Sequence, residues 1–100
     1  MYRLKYLDSA LDDIAHITRY IAERSANREV ATAYRDKLMA KCQSLADSEF
    51  QLGTLRRNLG FDIRSMVEGN YLIFFRYIDD VVEIVHITEG HRNLKFLFDQ

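Results

Sequence analysis

Glu68-Gly69-Asn70-Tyr71-Leu72-Ile73-Phe74-Phe75-Arg76-Tyr77-Ile78-Asp79-Asp80 is the stretch from which the fold is read. Its middle, Tyr71 to Tyr77, is apolar at nearly every position and built from Ile, Phe and Tyr, so both faces of an extended segment call for cover. That is the composition of a central strand. The flanks Glu68-Gly69-Asn70 and Asp79-Asp80 are short and turn-forming, which makes them hairpin connections. Residues 61–67 and 81–88 on either side are also rich in Ile, Val and Phe. The three segments together predict an antiparallel meander.

Working outward, the N-terminal half reads differently. Residues 2–7 alternate, with Tyr2, Leu4 and Tyr6 on one face and Arg3, Lys5 and Leu7 on the other, the period of a strand. Asp8 or Ser9 is then placed to cap a helix, with Asp12 and Asp13 in its first turn, where the helix dipole favours carboxylates. Leu11, Ile14, Ile17, Ile21 and Ala22 recur at helical spacing and carry that helix to about Ser25. Asn27 is a second N-cap, and Val30, Tyr34, Leu38, Cys42 and Leu45 trace one apolar stripe beyond it. The order is therefore β-α-α-β-β-β, an α+β domain over residues 1–100 in which an N-terminal strand and a helical hairpin pack on an antiparallel sheet. How the first strand joins that sheet is not legible.

A chain of 100 residues has room for one core. Its 48% hydrophobic and 29% charged content is that of an ordinary globular domain. The lone Cys42 cannot form an intrachain disulfide, no leader-like apolar run follows Met1, and no stretch approaches a membrane span, so a cytoplasmic location is expected. A net charge of −1 and a pI near 6.3 give no global field for nucleic acid, which shifts the expectation toward a protein partner.

The motifs that remain are distributed along the whole chain. Gly53-x-x-Arg56, Ile63-Arg64-Ser65, Gly69-x-Tyr71-Leu72-Ile73-Phe74-Phe75-Arg76, Glu83-Ile84-Val85-His86-Ile87 and Gly90-His91-Arg92 follow one another, preceded by Ala10-x-x-Asp13-Ile14, Tyr20-Ile21-Ala22, Ala33-Tyr34 and Cys42-x-x-Leu45-Ala46. In this order they resemble the ParE branch of the ParE/RelE toxin superfamily. The resemblance implies a toxin of a type II toxin-antitoxin system, a ParD-type antitoxin that wraps it, and DNA gyrase as the target, held in a state in which cleaved DNA is not resealed. It departs in one place: Phe50 stands where the family commonly has proline, which would fix φ in the loop after the second helix.

Arg64, Arg76 and Arg92 lie in or just after strands, where a meander can gather them into a basic site for phosphate or for a partner's acidic side chains. The bland alternative is a set of sheet-face arginines paired with Asp62, Glu83 or Glu89. Arg56 and Arg57 read as solubilising loop residues. His91 beside Arg92 and His86 within a strand are capable of acid-base work near neutral pH, or are simply hydrogen-bonded to backbone or water; His16 reads as a surface residue. The ribonuclease branch of the superfamily commonly has a proton-donating tyrosine near its C-terminus, and here that position is Phe98. The expectation is thus a noncatalytic binding toxin; the alternatives are a RelE-like ribosome-dependent mRNA endoribonuclease and a degenerate module that binds its antitoxin without toxicity. Leu94, Phe96, Leu97 and Phe98 place large apolar groups near the chain end and are candidates for antitoxin contact. The Cys and His spacings match no metal motif, no glycine-rich phosphate loop is present, and no cofactor is expected.

Overall fold

The computed structural model describes residues 1–90. Strand β1 spans Arg3–Tyr6, helix α1 Asp8–Ser25, helix α2 Arg28–Asp47, and strands β2 to β5 span Thr54–Leu55, Arg64–Glu68, Tyr71–Ile78 and Val81–Glu89. A 3-10 turn at Arg57–Leu59 lies between β2 and β3. All five strands form one sheet in the order β1-β5-β4-β3-β2. β4 is central, as its two-sided apolar composition predicts, and β2 is an addition to the expected order. β1 joins at the edge, parallel to β5, with Arg3 opposite Val81 and Tyr6 opposite Ile84.

The hairpin linking α1 to α2 is compact because both sides of it are capped. Ala26 adopts a left-handed conformation (φ 53°) that ends α1, and the Asn27 side chain accepts from the Glu29 and Val30 amides (2.9 and 3.2 Å) to start α2. At the other end of α1, neither Asp8 nor Ser9 caps the helix. Leu7 holds that position with no side-chain bond, and the Ser9 hydroxyl donates instead to the Val85 carbonyl (2.6 Å).

Two further expectations are corrected. Val30 is 46% exposed and Ala31 is buried in its place. Steps of four residues overshoot a helical turn by about 40°, so three of them turn Val30 roughly 120° away from Cys42. Residues 61–63 do not begin the strand: Gly60 (φ 143°) and Asp62 (φ 59°) turn the chain there and leave Phe61 89% exposed.

The main core lies between the helices and one face of the sheet. Ile14, Ile17, Leu38, Cys42 and Leu45 pack on Ile73, Phe75, Tyr77, Val82, Ile84 and Ile87. On the opposite face a smaller cluster joins Leu59, Ile63 and Phe74, with Leu72 and Val85 against it. β4 thus buries Phe74 and Phe75 on opposite faces, each completely, and each such ring contributes about 1.5–3 kcal/mol through removal from water. A bulge sits beside them: Phe74 pairs with His86 but Phe75 with Ile84, leaving Val85 as the extra residue of β5.

Candidate functional site

β1 is too short to cover β5. It ends at Tyr6, and the Leu7 amide makes the last main-chain bond to Ile84 (3.0 Å). Beyond that point α1 crosses the edge of β5 and supplies side chains where a strand would supply backbone. Ser9 reaches the Val85 carbonyl, and one turn later Asp13 Oδ2 accepts both the Ile87 amide and His86 Nδ1 (each 2.9 Å). The bulge at Val85 is what turns the Ile87 amide toward Asp13. His86, a candidate acid-base residue by sequence, is therefore held against a carboxylate that also closes a strand edge. Asp13 was legible only as a first-turn carboxylate, since its contacts lie more than seventy positions away.

The arginines do not gather into one cluster. Arg64 pairs with Phe75 across β3 and β4 and so shares the helix-facing side of the sheet, where its guanidinium lies 5.7 Å from the centre of the Tyr77 ring. It donates to the Leu52 carbonyl (3.3 Å) and Gln51 Oε1 (3.2 Å), tying the loop after α2 to β3. Arg76, between Phe75 and Tyr77, faces the other side and donates from Nε to Glu83 Oε1 (2.8 Å); Lys5 approaches the second oxygen of the same carboxylate (3.8 Å). Alternation along a strand thus separates Arg64 from Arg76.

Arg56 is more than a solubilising residue. Its Nη1 donates to the Ser65 hydroxyl (3.1 Å) and its guanidinium sits 5.9 Å from the Phe74 ring centre, on the side of the sheet that carries Arg76. The sequence placed it in a loop and gave no sign of the sheet face it would reach. His91, Arg92, Leu94, Phe96, Leu97 and Phe98 lie outside the described residues.

Among the described residues three groups have clearly shifted ionisation. Burial pushes the Cys42 thiol up to about 11. Burial, and then the charge and hydrogen bonding of the neighbouring Cys42 thiol, push the Tyr6 phenol above its ordinary value; apart from Cys42 its buried hydroxyl has no partner among the described residues. Burial also raises Tyr71, with the charge of Glu89 and the phenols of Tyr34 and Tyr20 adding to it. Among the described residues no group of three His, Cys, Asp or Glu side chains is arranged to hold a metal ion, and no helix is long and apolar enough to cross a membrane.

The architecture and these contacts can be set beside known proteins. A family model described as the ParE toxin of type II toxin-antitoxin systems, parDE, matches residues 4–94. No curated protein matches the chain. Among solved structures, a chain described as belonging to the chromosomal ParDE toxin-antitoxin system of P. aeruginosa superposes with a TM-score of 0.75, covering 89% of this chain and 96% of that one. The two are 19% identical, so the likeness is one of fold.

Proposed function

The chain belongs to the ParE toxin family, and from that premise we propose that it acts by binding DNA gyrase, without catalysis of its own, and is neutralised by a ParD-type antitoxin. The observation that carries the reading is the family match over residues 4–94, which runs from the first strand past the last described one. A likeness confined to a meander would speak only for a fold. Binding without catalysis is supported by what the candidate side chains are doing: Arg64, Arg76 and His86 each have a partner within the fold, so the contacts that would serve proton transfer serve architecture instead. Phe98 adds to this, because a phenyl ring has no proton to give.

Arg64 with Arg92, flanked by His91, is assigned to the gyrase contact, and Leu94, Phe96, Leu97 and Phe98 to the antitoxin. Arg76 faces the other side of the sheet from Arg64 and would meet gyrase only as a separate contact. The test is to give the purified protein to gyrase in a supercoiling assay and, separately, to translating ribosomes. Loss of supercoiling with trapped cleaved DNA, reversed by the antitoxin, and intact messenger RNA are expected. Active gyrase together with messenger RNA cut on the ribosome would replace this reading with the ribonuclease one.

A further inference from the structure

A groove of about 460 Å³ runs between α1 and α2 on the helical hairpin, with no wall from the sheet. Leu11, Ala15 and Ala22 line it from α1, and Ala31 and Thr32 from α2. These are small or apolar groups, and Leu11 is left 46% exposed. Every charged side chain along the groove is an arginine: Arg19 from α1, Arg28 and Arg35 from α2. Three cations with no carboxylate among them stand out in a chain whose net charge is −1. Arg19 and Arg28 make no ion pair or hydrogen bond with any described residue. Arg35 has an exposed pair with its neighbour Asp36 (3.2 Å), a kind of contact that contributes little. Arg28 is also the first residue of α2, where the positive end of the helix dipole disfavours a cation. A charge kept against the preference of its own helix is accounted for by a contact outside the fold.

Shape and charge together select the occupant. A groove between two antiparallel helices is filled by a third helix, whose ridge of side chains lies between theirs. From Leu11 to Ala22 α1 rises about 16 Å, room for roughly three helical turns. Arg28 and Arg35 lie about 10 Å apart on one stripe of α2, so carboxylates two turns apart on the incoming helix would meet both. A second copy of this chain does not fit, because two such grooves face to face would oppose guanidinium to guanidinium. Duplex DNA would meet the arginines but has no ridge to fill the apolar floor between them. The gyrase contact proposed above uses none of these residues, which leaves the groove to the antitoxin. We propose that the groove between α1 and α2 receives an amphipathic helix of the antitoxin whose apolar stripe is flanked by Asp or Glu. The inference rests on the reading that this chain has a ParD-type partner, and it adds where on the toxin that partner lies and what charge it brings.

The experiment measures binding of the full-length toxin to the ParD-type antitoxin of the adjacent reading frame at low and high salt, with a thermal melt of each toxin alone. The toxins are wild type, a triple variant carrying Arg19→Gln, Arg28→Gln and Arg35→Gln, and Ala15→Glu. The triple variant should bind about tenfold or more weakly and with a flatter salt dependence, yet melt no lower than wild type, since Arg28→Gln relieves α2 of a misplaced charge. Ala15→Glu keeps the arginines but fills the floor and opposes the incoming carboxylates, and should weaken binding about as much. Each antitoxin Asp and Glu is then changed to Lys, and one of these should bind toxin Arg28→Glu more tightly than it binds wild-type toxin, which marks the facing pair. If the triple variant melts lower than wild type, Ala15→Glu decides. Binding within twofold of wild type in the deciding variant overturns the proposal and leaves the proposed function standing; if that variant also loses gyrase inhibition, the occupant is gyrase. A wild-type toxin that binds no antitoxin overturns both readings at once.

Discussion

Asp13→Ala should be among the most destabilising single changes outside the apolar core, although Asp13 looks in the sequence like an ordinary first-turn carboxylate. Its Oδ2 accepts from the Ile87 amide and from His86 Nδ1, both at 2.9 Å, with the two side chains 28% and 19% exposed. Losing a hydrogen bond to a charged group costs about 1.5–3 kcal/mol, and an orphaned buried amide adds about 1–3 kcal/mol. Ile87 is 2% exposed, which limits the access of water to its amide. Partial relaxation reduces the sum, so a loss of about 2–4 kcal/mol is expected, with Asn at this position losing about half as much because its carbonyl can still accept from Ile87. For a domain of this size each kcal/mol lowers Tm by about 4–8 °C. Urea and thermal melts of the two variants against wild type measure this. Asp13→Ala within about 0.5 kcal/mol of wild type would show that the edge of β5 needs no cap and would refute the reasoning.

Other changes test separate parts of the account. Gly53→Ala should cost more than Gly69→Ala: a Cβ at Gly53 meets the Ser65 carbonyl at 2.9 Å, a backbone atom that cannot swing away, whereas at Gly69 it meets the Tyr34 hydroxyl at 2.5 Å. Tyr34→Phe should therefore recover part of the Gly69→Ala loss in chemical melts and none of the Gly53→Ala loss. The folded Cys42 thiol ionises near 11 against an ordinary value of 9.0, so its contribution is whole below pH 9 and declines as pH rises toward 11. Urea midpoints at pH 8 and 10.5 should fall more steeply for wild type than for Cys42→Ala, by on the order of 2 kcal/mol at most; equal slopes would contradict this. Arg64→Ala with Arg92→Ala should abolish gyrase inhibition while costing Arg64's share of stability, about 1 kcal/mol for its half-exposed contacts to Gln51 and Leu52. Full inhibition by the soluble double variant in a supercoiling assay would remove the assigned gyrase contact.

The parts of the fold that were legible are those fixed by local chemistry. The run from Tyr71 to Tyr77 announced a central strand, Gly69-Asn70 and Asp79-Asp80 announced the turns, and Asn27 announced the start of α2, because each signal acts within a few residues of itself. What was not legible depends on distant pairing. The parallel placement of β1 beside β5 and the use of Ser9 and Asp13 to close an edge join positions more than seventy residues apart, and the bulge at Val85 is a slip in the β4–β5 pairing that no residue type marks. The arginines show the same limit. Arg64 and Arg76 both sit in strands, as the sequence implied, but the register of β3 on β4 and the alternation of the pleat put them on opposite faces. Arg56 gained its place on Phe74 and Ser65 only because the short strand β2 pairs with β3, with Thr54 opposite Ser65, a contact that two residues are too few to announce.

The most direct test of the central claim, that this chain poisons gyrase by binding it, is to express it in growing cells and count gyrase molecules covalently trapped on DNA against cleavage of messenger RNA on ribosomes. The account predicts that trapped gyrase accumulates before growth stops, that co-expressed antitoxin prevents it, and that messenger RNA stays intact. Growth arrest with cleaved messenger RNA and no trapped gyrase would contradict it.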